Sequence, residues 1–381
     1  MAEEQESIAH SKVSRAAALA GAGAKVGVNY LKHYGKRAVG SDGKKDDLHE
    51  VNASTVYDTF AKLKGGPLKL AQMLSIDKNV LPDAYRQHFA QAQYSAPPLS
   101  YPLVVKTFRR EFGQSPSEIF GSFTQQAVHG ASIGQVHKAT KGEQTFAVKV
   151  QYPGVGDSLK SDLAVVKPFA LQILGLKERD IAPYLKEVEA KLLEETDYRV
   201  ELKRSIDLSA RSAHLAGIRF PKYYPEFSGA RVITMDWLEG LPLDQFVAAN
   251  PSQEQLNQVG QAIWDFYHFQ IHELKQFHAD PHPGNFLVDA DNQVCVLDFG
   301  CTKEIPEDYH RDYFRFLDAA LLDDPARFEA ALRQLDLVTD EDSEYERRVI
   351  IENAMMGTRL LGRPFHEGSF DFGDQSYMES I

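Results

Sequence analysis

His278-Ala279-Asp280-Pro281-His282-Pro283-Gly284-Asn285 is followed, after a short apolar stretch containing Val294, Val296 and Leu297, by Asp298-Phe299-Gly300. Phosphoryl transfer asks for an acid near the acceptor oxygen and for oxygen ligands that hold one or two magnesium ions. Asp280 and Asn285, on one loop, offer both, and Asp298 adds a carboxylate at a strand end where Gly300 lets the backbone turn sharply. His278, Asp280 and His282 can also be drawn as zinc ligands. Pro281 and Pro283 impose an extended loop, however, and Asn285 and Asp298 suit an oxygen-seeking ion better. The reading is therefore magnesium, with His278 holding the loop by hydrogen bonds. A second Asp-Phe-Gly, Asp371-Phe372-Gly373, has neither a strand nor a comparable loop before it and reads as a surface-loop coincidence.

Working outward, Phe146-Ala147-Val148-Lys149-Val150 places one lysine in an apolar strand. Burying a lone ammonium is costly, so an acidic partner is expected. Glu195 is assigned that place, although spacing alone does not separate it from Glu194 or Glu201. Before the lysine, His129-Gly130-Ala131-Ser132-Ile133-Gly134-Gln135-Val136-His137 stands where a phosphate-binding loop is expected. Its small residues allow close backbone approach to phosphates. No GxGxxG is present, and alone the segment reads equally as a tight hairpin turn. The joint pattern of loop, Asp298-Phe299-Gly300 and strand lysine matches the catalytic apparatus of kinases.

The flanking periodicity predicts a helix over 11–34, a polar linker from Gly40 to Asp47, and a second helix opening near Ser54 with Val56, Phe60 and Leu63 at helical spacing. Gly65-Gly66-Pro67 breaks it, and further helix follows as far as Pro97-Pro98. Short β-rich runs around Lys141-Gly142-Glu143 read as a hairpin. One long helix is expected over 181–215, a strand over 231–237, a turn at Gly240-Leu241-Pro242, and a mainly helical remainder with two short strands at 286–288 and 294–297. The expected architecture is α+β: a protein-kinase-like two-lobed fold with an N-terminal helical extension. Its expected domains are 1–110, 111–238 and 239–381.

Composition narrows the function classes. A net charge of −12 over 381 residues lacks the basic excess of a nucleic-acid binder. Hydrophobic residues at 43% and charged residues at 25% fit an ordinary soluble globular protein. The two cysteines, Cys295 and Cys301, offer no disulfide framework and no CxxC metal spacing. The acidic start Met1-Ala2-Glu3-Glu4 argues against a transit peptide. The Ala/Gly-rich stretch from Ala16 to Val28 is too short and weakly apolar to span a bilayer.

Several of these segments together resemble one family, the UbiB/ADCK (AarF-type) atypical protein-kinase-like proteins, over residues 62–302. Ala131 to His137 is similar to the end of its alanine-rich loop, and Val148 to Gly154 to its Val-Lys-Val-Gln-x-Pro-Gly. Glu195-Thr196-Asp197-Tyr198, with Glu201 beyond, matches its Glu-x-Asp-Tyr segment, and 278–285 matches its catalytic loop. Aminoglycoside- and choline-kinase-like proteins share only that last portion. Lys69-Leu70-Ala71-Gln72 departs from the family's KxGQ signature by Ala71 in place of glycine, and His129 and Gly130 stand where the loop begins with alanines.

The resemblance implies an ATP- or ADP-binding, magnesium-dependent ATPase or small-molecule/lipid phosphotransferase that supports ubiquinone or isoprenoid-lipid metabolism. Asp280 would act on the acceptor, Lys149 with Glu195 would hold phosphates, and Asn285 and Asp298 would hold the metal. Nucleotide contacts are expected from Ala131, Ser132 and Gln135, and from the inter-lobe strand at Asp236 and Leu238. Lys69 and Gln72 are expected to project into the site and occlude a peptide groove. Expected partners are a nucleotide, an anionic membrane surface, and quinone or isoprenoid-lipid intermediates, with no nucleic acid; the helix over 16–34 reads equally as the membrane contact and as a docking helix for the kinase lobes. The expected location is cytoplasmic, peripheral at the inner membrane. Two other classes stay open: a nucleotide-binding regulatory scaffold without turnover, and a protein kinase, which the occluding helix and the absence of an Ala-Pro-Glu segment disfavour.

Overall fold

Arg15 ties the first described helix to later parts of the chain. In the computed structural model it lies on α1 (Lys12–Ala38), which packs against α2 (Lys45–Leu63). The residues described are 12–38, 45–63, 84–85, 88, 99–131, 133–156, 159–164, 167, 186, 189–279, 283–366 and 368–381. The Arg15 guanidinium is buried and bidentate to Asp162, with Nε to Oδ1 at 2.8 Å and Nη2 to Oδ2 at 2.6 Å, while Nη1 donates to the Leu63 carbonyl at 2.7 Å. Ala22 and Val26 are buried on one face of α1, whereas Val28 and Leu31 are 46% and 75% exposed. The second helix starts at Lys45, not near Ser54. Part of the expected linker is therefore helical.

α3 (Tyr101–Phe112) begins with Pro102 in its first turn and ends at Gly113, whose φ of 73° is the left-handed cap that glycine adopts without penalty. The short α4 (Pro116–Ile119) carries a capping box between Ser115 and Glu118. These helices cover one face of a five-stranded antiparallel sheet of β1 (Ser122–Phe123), β2 (His129–Gly130), β3 (Gly134–Lys141), β4 (Gln144–Gln151) and β6, introduced below. The β3–β4 hairpin turns at Gly142, φ 61°, and pairs Lys141 with Gln144 and Val136 with Lys149. Under α3, Val104 and Phe108 pack with Phe120, Ala139, Phe146 and Val148 in one apolar core. Burying each such phenylalanine stabilises the sheet by about 1.5–3 kcal/mol.

The single long helix expected over 181–215 is broken. Residues 195–197 form a turn, and α5 (Tyr198–Ser212) starts afresh with the Asp197 side chain accepting from Arg199 N–H at 3.1 Å. Aspartate competes for backbone donors and favours such caps over helix interiors. The diverted Tyr198 N–H bonds the Ala230 carbonyl at 2.9 Å. β5 (Ile218–Arg219) follows, then β6 (Val232–Asp236), which completes the first sheet beside β4. Where a turn was expected at Gly240, β7 (Leu241–Pro242) pairs with a later strand. α6 (Leu243–Ala248) and α7 (Gln253–Phe269) come next.

β8 (Gln276–His278) precedes the catalytic-type loop, and the expected hairpin follows as β9 (Phe286–Val288) and β10 (Val294–Val296). Asp289 shapes the hairpin turn by accepting from Asp291 and Gln293 N–H at 3.0 and 2.9 Å. A second sheet runs β5-β10-β9-β7, parallel only between β5 and β10. After Gly300 come β11 (Thr302–Glu304), antiparallel to β8, then α8 (Glu307–Phe314), α9 (Ala319–Leu322), α10 (Pro325–Gln334), α11 (Glu344–His366) and α12 (Gln375–Ser380).

The chain divides into two units. Met1–Ile263 with Pro281–Cys301 contains both larger sheets. Trp264–Asp280 with Thr302–Ile381 contains β8, β11 and the last five helices, and has its own core of Phe316, Leu321, Phe328, Leu332 and Val338.

Candidate active site

Strand alternation decides what each residue of β3 and β4 can touch. Val136 and Lys149 are directly opposed, so they share a face, and Ala147 joins them two residues along β4. Phe146, Val148 and Val150 point the other way, into the core under α3.

Lys149 is buried, yet its ammonium is fully engaged. Nζ donates to Glu201 Oε1 at 2.8 Å and to Asp298 Oδ2 at 2.9 Å, and lies 5.2 Å from the centroid of the buried Tyr198 ring. Burial alone would push this lysine down. The Asp298 and Glu201 carboxylates overcome it and hold the ammonium well above its usual range. One cation thus serves two carboxylates. Burial pushes the Glu201 carboxyl up to about 7 against the pull of Lys149, with Asp298 adding to the rise. Its side chain is 9% exposed, against 31% for Asp298, and the more buried acid bears the larger desolvation penalty.

The partner of Lys149 is therefore Glu201, not Glu195. Glu195 sits in the turn before the Asp197 cap, while Glu201 lies in the first turn of α5, where the renewed helix carries it toward β4. The helix break is the sequence signal for this assignment: Thr196-Asp197 marks an N-cap, and Glu201 follows it within one turn.

Asp298 Oδ1 accepts from Gly300 N–H at 2.6 Å, which aims Oδ2 at Lys149. Phe299 is fully buried and packs on Phe220 with ring centroids 5.8 Å apart. Asn285 ends a 3₁₀ turn over Pro283–Asn285, and its carbonyl accepts from Leu297 N–H at 3.0 Å, tying the loop to the segment that delivers Asp298. Asp280 lies outside the described residues, as do His282, Ser132, Lys69 and Gln72. His278 is buried, and its backbone N–H donates to Gln270 Oε1 at 2.8 Å. The second Asp-Phe-Gly repeats the local turn, with Asp371 Oδ1 accepting from Gly373 N–H at 2.8 Å, but Phe372 is 49% exposed. Neither cysteine forms a disulfide among the described residues.

The side chains of Gln135 and Asp236 turn away from this face, which bears on the contact expected of Gln135 but not on the backbone contact expected of Asp236. Gln135 is opposed to Val150 and so lies on the α3 side, not beside Lys149. Its Oε1 accepts from Leu99 N–H at 2.7 Å, so its amide nitrogen donates to His137 Nε2 at 2.9 Å, and His137 Nδ1–H donates to the Thr124 carbonyl at 2.8 Å. This relay ties the segment before α3 to β3. Burial pushes His137 down to about 4, which keeps the ring neutral, as both hydrogen bonds require. The Asp236 carboxylate likewise accepts from Tyr224 Oη at 2.7 Å and Lys222 N–H at 3.0 Å. Leu238 is buried at the end of the same segment. Ala131 N–H is taken by the Gly134 carbonyl at 2.9 Å. At Gly134 a β-carbon would stand 2.5 Å from the Val150 carbonyl and 2.7 Å from Tyr198 Oη, so only glycine fits.

Among the described residues no helix is long and apolar enough to cross a membrane. The acid–amide donor set of Asp298 and Asn285 is all oxygen and suits a hard divalent ion.

Comparison with known proteins agrees with this geometry. The family model described as "ABC1 atypical kinase-like domain" matches residues 91–332. A Rattus norvegicus protein, "Atypical kinase COQ8B, mitochondrial", is 30% identical over 373 residues, covering 95% of this chain and 70% of its own length. "Atypical kinase COQ8, mitochondrial" of Saccharomyces cerevisiae is 29% identical, with 88% and 67% covered. "ABC1 family protein C10F6.14c" of Schizosaccharomyces pombe is 30% identical, with 73% and 54% covered. The chain thus spans between about half and 70% of the length of these relatives. Among solved structures, Rv3197 of Mycobacterium tuberculosis, determined with erythromycin, superposes with a TM-score of 0.60 at 24% identity, covering 88% of this chain and 84% of that one. At that identity the likeness is one of fold.

Proposed function

This chain belongs to the ABC1 atypical kinase-like family, and on that premise we propose that it binds a magnesium nucleotide on the Lys149 face and hydrolyses or transfers the terminal phosphoryl group. The observation that carries the reading is the shared ammonium of Lys149, bonded at once to Glu201 and Asp298. A buried lysine fixed by a helix glutamate and set beside a strand-end aspartate is the positioning apparatus of phosphoryl transfer.

In this reading Lys149 holds the α- and β-phosphates, with Glu201 keeping its Nζ in place. Asp298 and Asn285 would hold magnesium, which neutralises charge on the phosphate oxygens when bound. Asp280 orients a water or acceptor hydroxyl for in-line attack. Leu238 and the Asp236 backbone receive the adenine, and Lys69 with Gln72 restrict the acceptor to something smaller than a peptide. Because Asp298 Oδ2 already serves Lys149, nucleotide binding exchanges that contact for phosphate oxygens.

The acceptor we propose is a small molecule or lipid of quinone or isoprenoid metabolism, met at an anionic membrane surface. Exposed Val28 and Leu31, with Lys25 and Lys32 nearby on α1, support such contact. The test is magnesium-dependent ATP hydrolysis by the purified chain, with and without anionic vesicles and a phenolic quinone-precursor mimic. Stimulated turnover supports the proposal. Tight nucleotide binding without turnover under every condition favours the scaffold reading, which the prior engagement of Asp298 by Lys149 also suits. Vesicle co-sedimentation that Leu31→Glu leaves unchanged would count against the membrane role.

A further inference from the structure

The strand register sets a row of side chains beyond Lys149. His129 is opposed to Val136, Lys138 to Ala147, and Ala147 to Met235, so all lie on the Lys149 face, and Trp237 continues the row past Met235. The register sets His129 level with Lys149, two strands across, and Trp237 level with Thr145, yet the His129 imidazole stacks on the Trp237 indole, with centroids 6.0 Å apart and planes 19° from parallel.

The two rings are held very differently. Trp237 is anchored: its Nε1 donates to Glu239 Oε1 at 2.8 Å, its backbone N–H to the Thr145 carbonyl at 3.0 Å, and the Lys138 ammonium lies 4.6 Å from its ring centroid. Lys138 is itself paired to Glu239 at 3.1 Å. His129 stands on a two-residue exposed strand, and no hydrogen bond holds its imidazole among the described residues. The next residue is Gly130, around which a β-carbon would meet nothing within 4 Å. Among the described residues, hydrogen bonds tie the indole and none ties the imidazole.

Between this stack and Lys149 lies an apolar floor of Val136, Ala147 and Met235. Thr145, which anchors Trp237, is about 13 Å along β4 from Lys149 at the usual strand rise. A nucleotide with its phosphates at Lys149 lays its ribose across that floor and brings its base to the stacked rings.

We infer that the His129–Trp237 stack is a gate at the base end of the nucleotide site, opened when a nucleobase replaces the His129 imidazole on Trp237. The inference rests on the nucleotide reading above. A base offers indole a wider π-surface than imidazole does, so it displaces His129 with net gain. A polyphosphate without a base has nothing to put on Trp237 and leaves the gate shut. The ligand class selected is a planar-base nucleotide, and His129 controls its rate of entry.

The chain has two tryptophans, Trp237 and Trp264, so Trp264→Phe makes Trp237 the only indole reporter. In that background, stopped-flow fluorescence with magnesium ATP should show a change in Trp237 emission. Magnesium tripolyphosphate, detected by calorimetry and by competition with ATP, should bind without that change. His129→Ala should accelerate ATP association several-fold and leave tripolyphosphate binding unaltered, and His129→Phe should restore the slow rate. If ATP binds but His129→Ala alters neither its association rate nor the Trp237 signal, the gate is overturned while the nucleotide reading stands. If neither ATP nor tripolyphosphate binds the parent chain, the nucleotide reading fails and the gate falls with it.

Discussion

Glu201 Oε1 and Lys149 Nζ stand 2.8 Å apart, both nearly buried, and the other Glu201 oxygen lies 3.5 Å from where a β-carbon on Gly300 would be. Helix, strand and the Asp298 turn therefore meet at one carboxylate. Glu201→Gln keeps the shape but removes the charge that fixes Lys149. Its expected effect is a fall in nucleotide turnover of about 10–100-fold. Glu195→Gln, one turn outside the pair, should cost less than about threefold. Steady-state kcat/KM of the two variants separates them. Equal losses would return Glu195 to the role the sequence suggested.

The same carboxylate predicts a pH dependence of stability. Burial, opposed by Lys149 and reinforced by Asp298, lifts Glu201 from 4.5 to about 7. Its contribution to stability is complete below the unfolded value and is lost as pH rises through about 7. Urea unfolding of wild type and Glu201→Gln between pH 4.5 and 8 should show wild type losing stability relative to the variant as pH rises. A constant difference would contradict the assignment.

His137 works in the opposite window. Burial lowers it from 6.5 to about 4, outweighing the upward pull of its hydrogen bond to the Thr124 carbonyl. Stability from the neutral ring is present above 6.5 and is lost as pH falls through 4, an amount of about 3 kcal/mol for a shift of this size. His137→Asn should be less stable than wild type at pH 7 and should lose little more on acidification to pH 4. Parallel acid-unfolding curves for the two proteins would sink this account.

Asp298 and Asp371 offer an internal control. Each accepts from the glycine two residues on, at 2.6 and 2.8 Å, but only Asp298 also receives Lys149. Asp298→Asn should remove magnesium-dependent turnover by about 10²-fold or more, whereas Asp371→Asn should leave it within about twofold. Loss of turnover in both variants would mean that the second turn is not a coincidence.

These residues also show what was legible beforehand. Lys149 stood out because one cation in an apolar run demands a partner, and Asp298 because a loop and strand preceded it. Both signals are local. Glu201 was not separable from its neighbours until the cap at Asp197 split the helix, since a continuous helix presents Glu194, Glu195 and Glu201 alike as acids near one another. Gln135 was misplaced for a related reason. Its side-chain direction follows only from the hairpin register set at Gly142, which pairs Val136, not Gln135, with Lys149. β8 and β11 are three residues each, too short for a period of two to show. The family resemblance supplied the motifs, but motifs carry no register.

Arg15 and Asp162 test whether α1 is held by charge or by shape. The pair is buried, 5% and 2% exposed, and bidentate. Desolvating two ions costs about as much as their attraction returns, so the pair as a whole adds little net stability. Breaking it is another matter. Asp162→Leu leaves a buried guanidinium without the carboxylate that neutralises it, and should cost about 3–5 kcal/mol in chemical unfolding. Arg15→Met combined with Asp162→Leu removes both charges at similar volume and should recover most of that loss. Recovery would mean that the ions choose where α1 docks while Ala22 and Val26 hold it there. No recovery would mean that the guanidinium contacts themselves hold the helix, and that α1 leaves when they go.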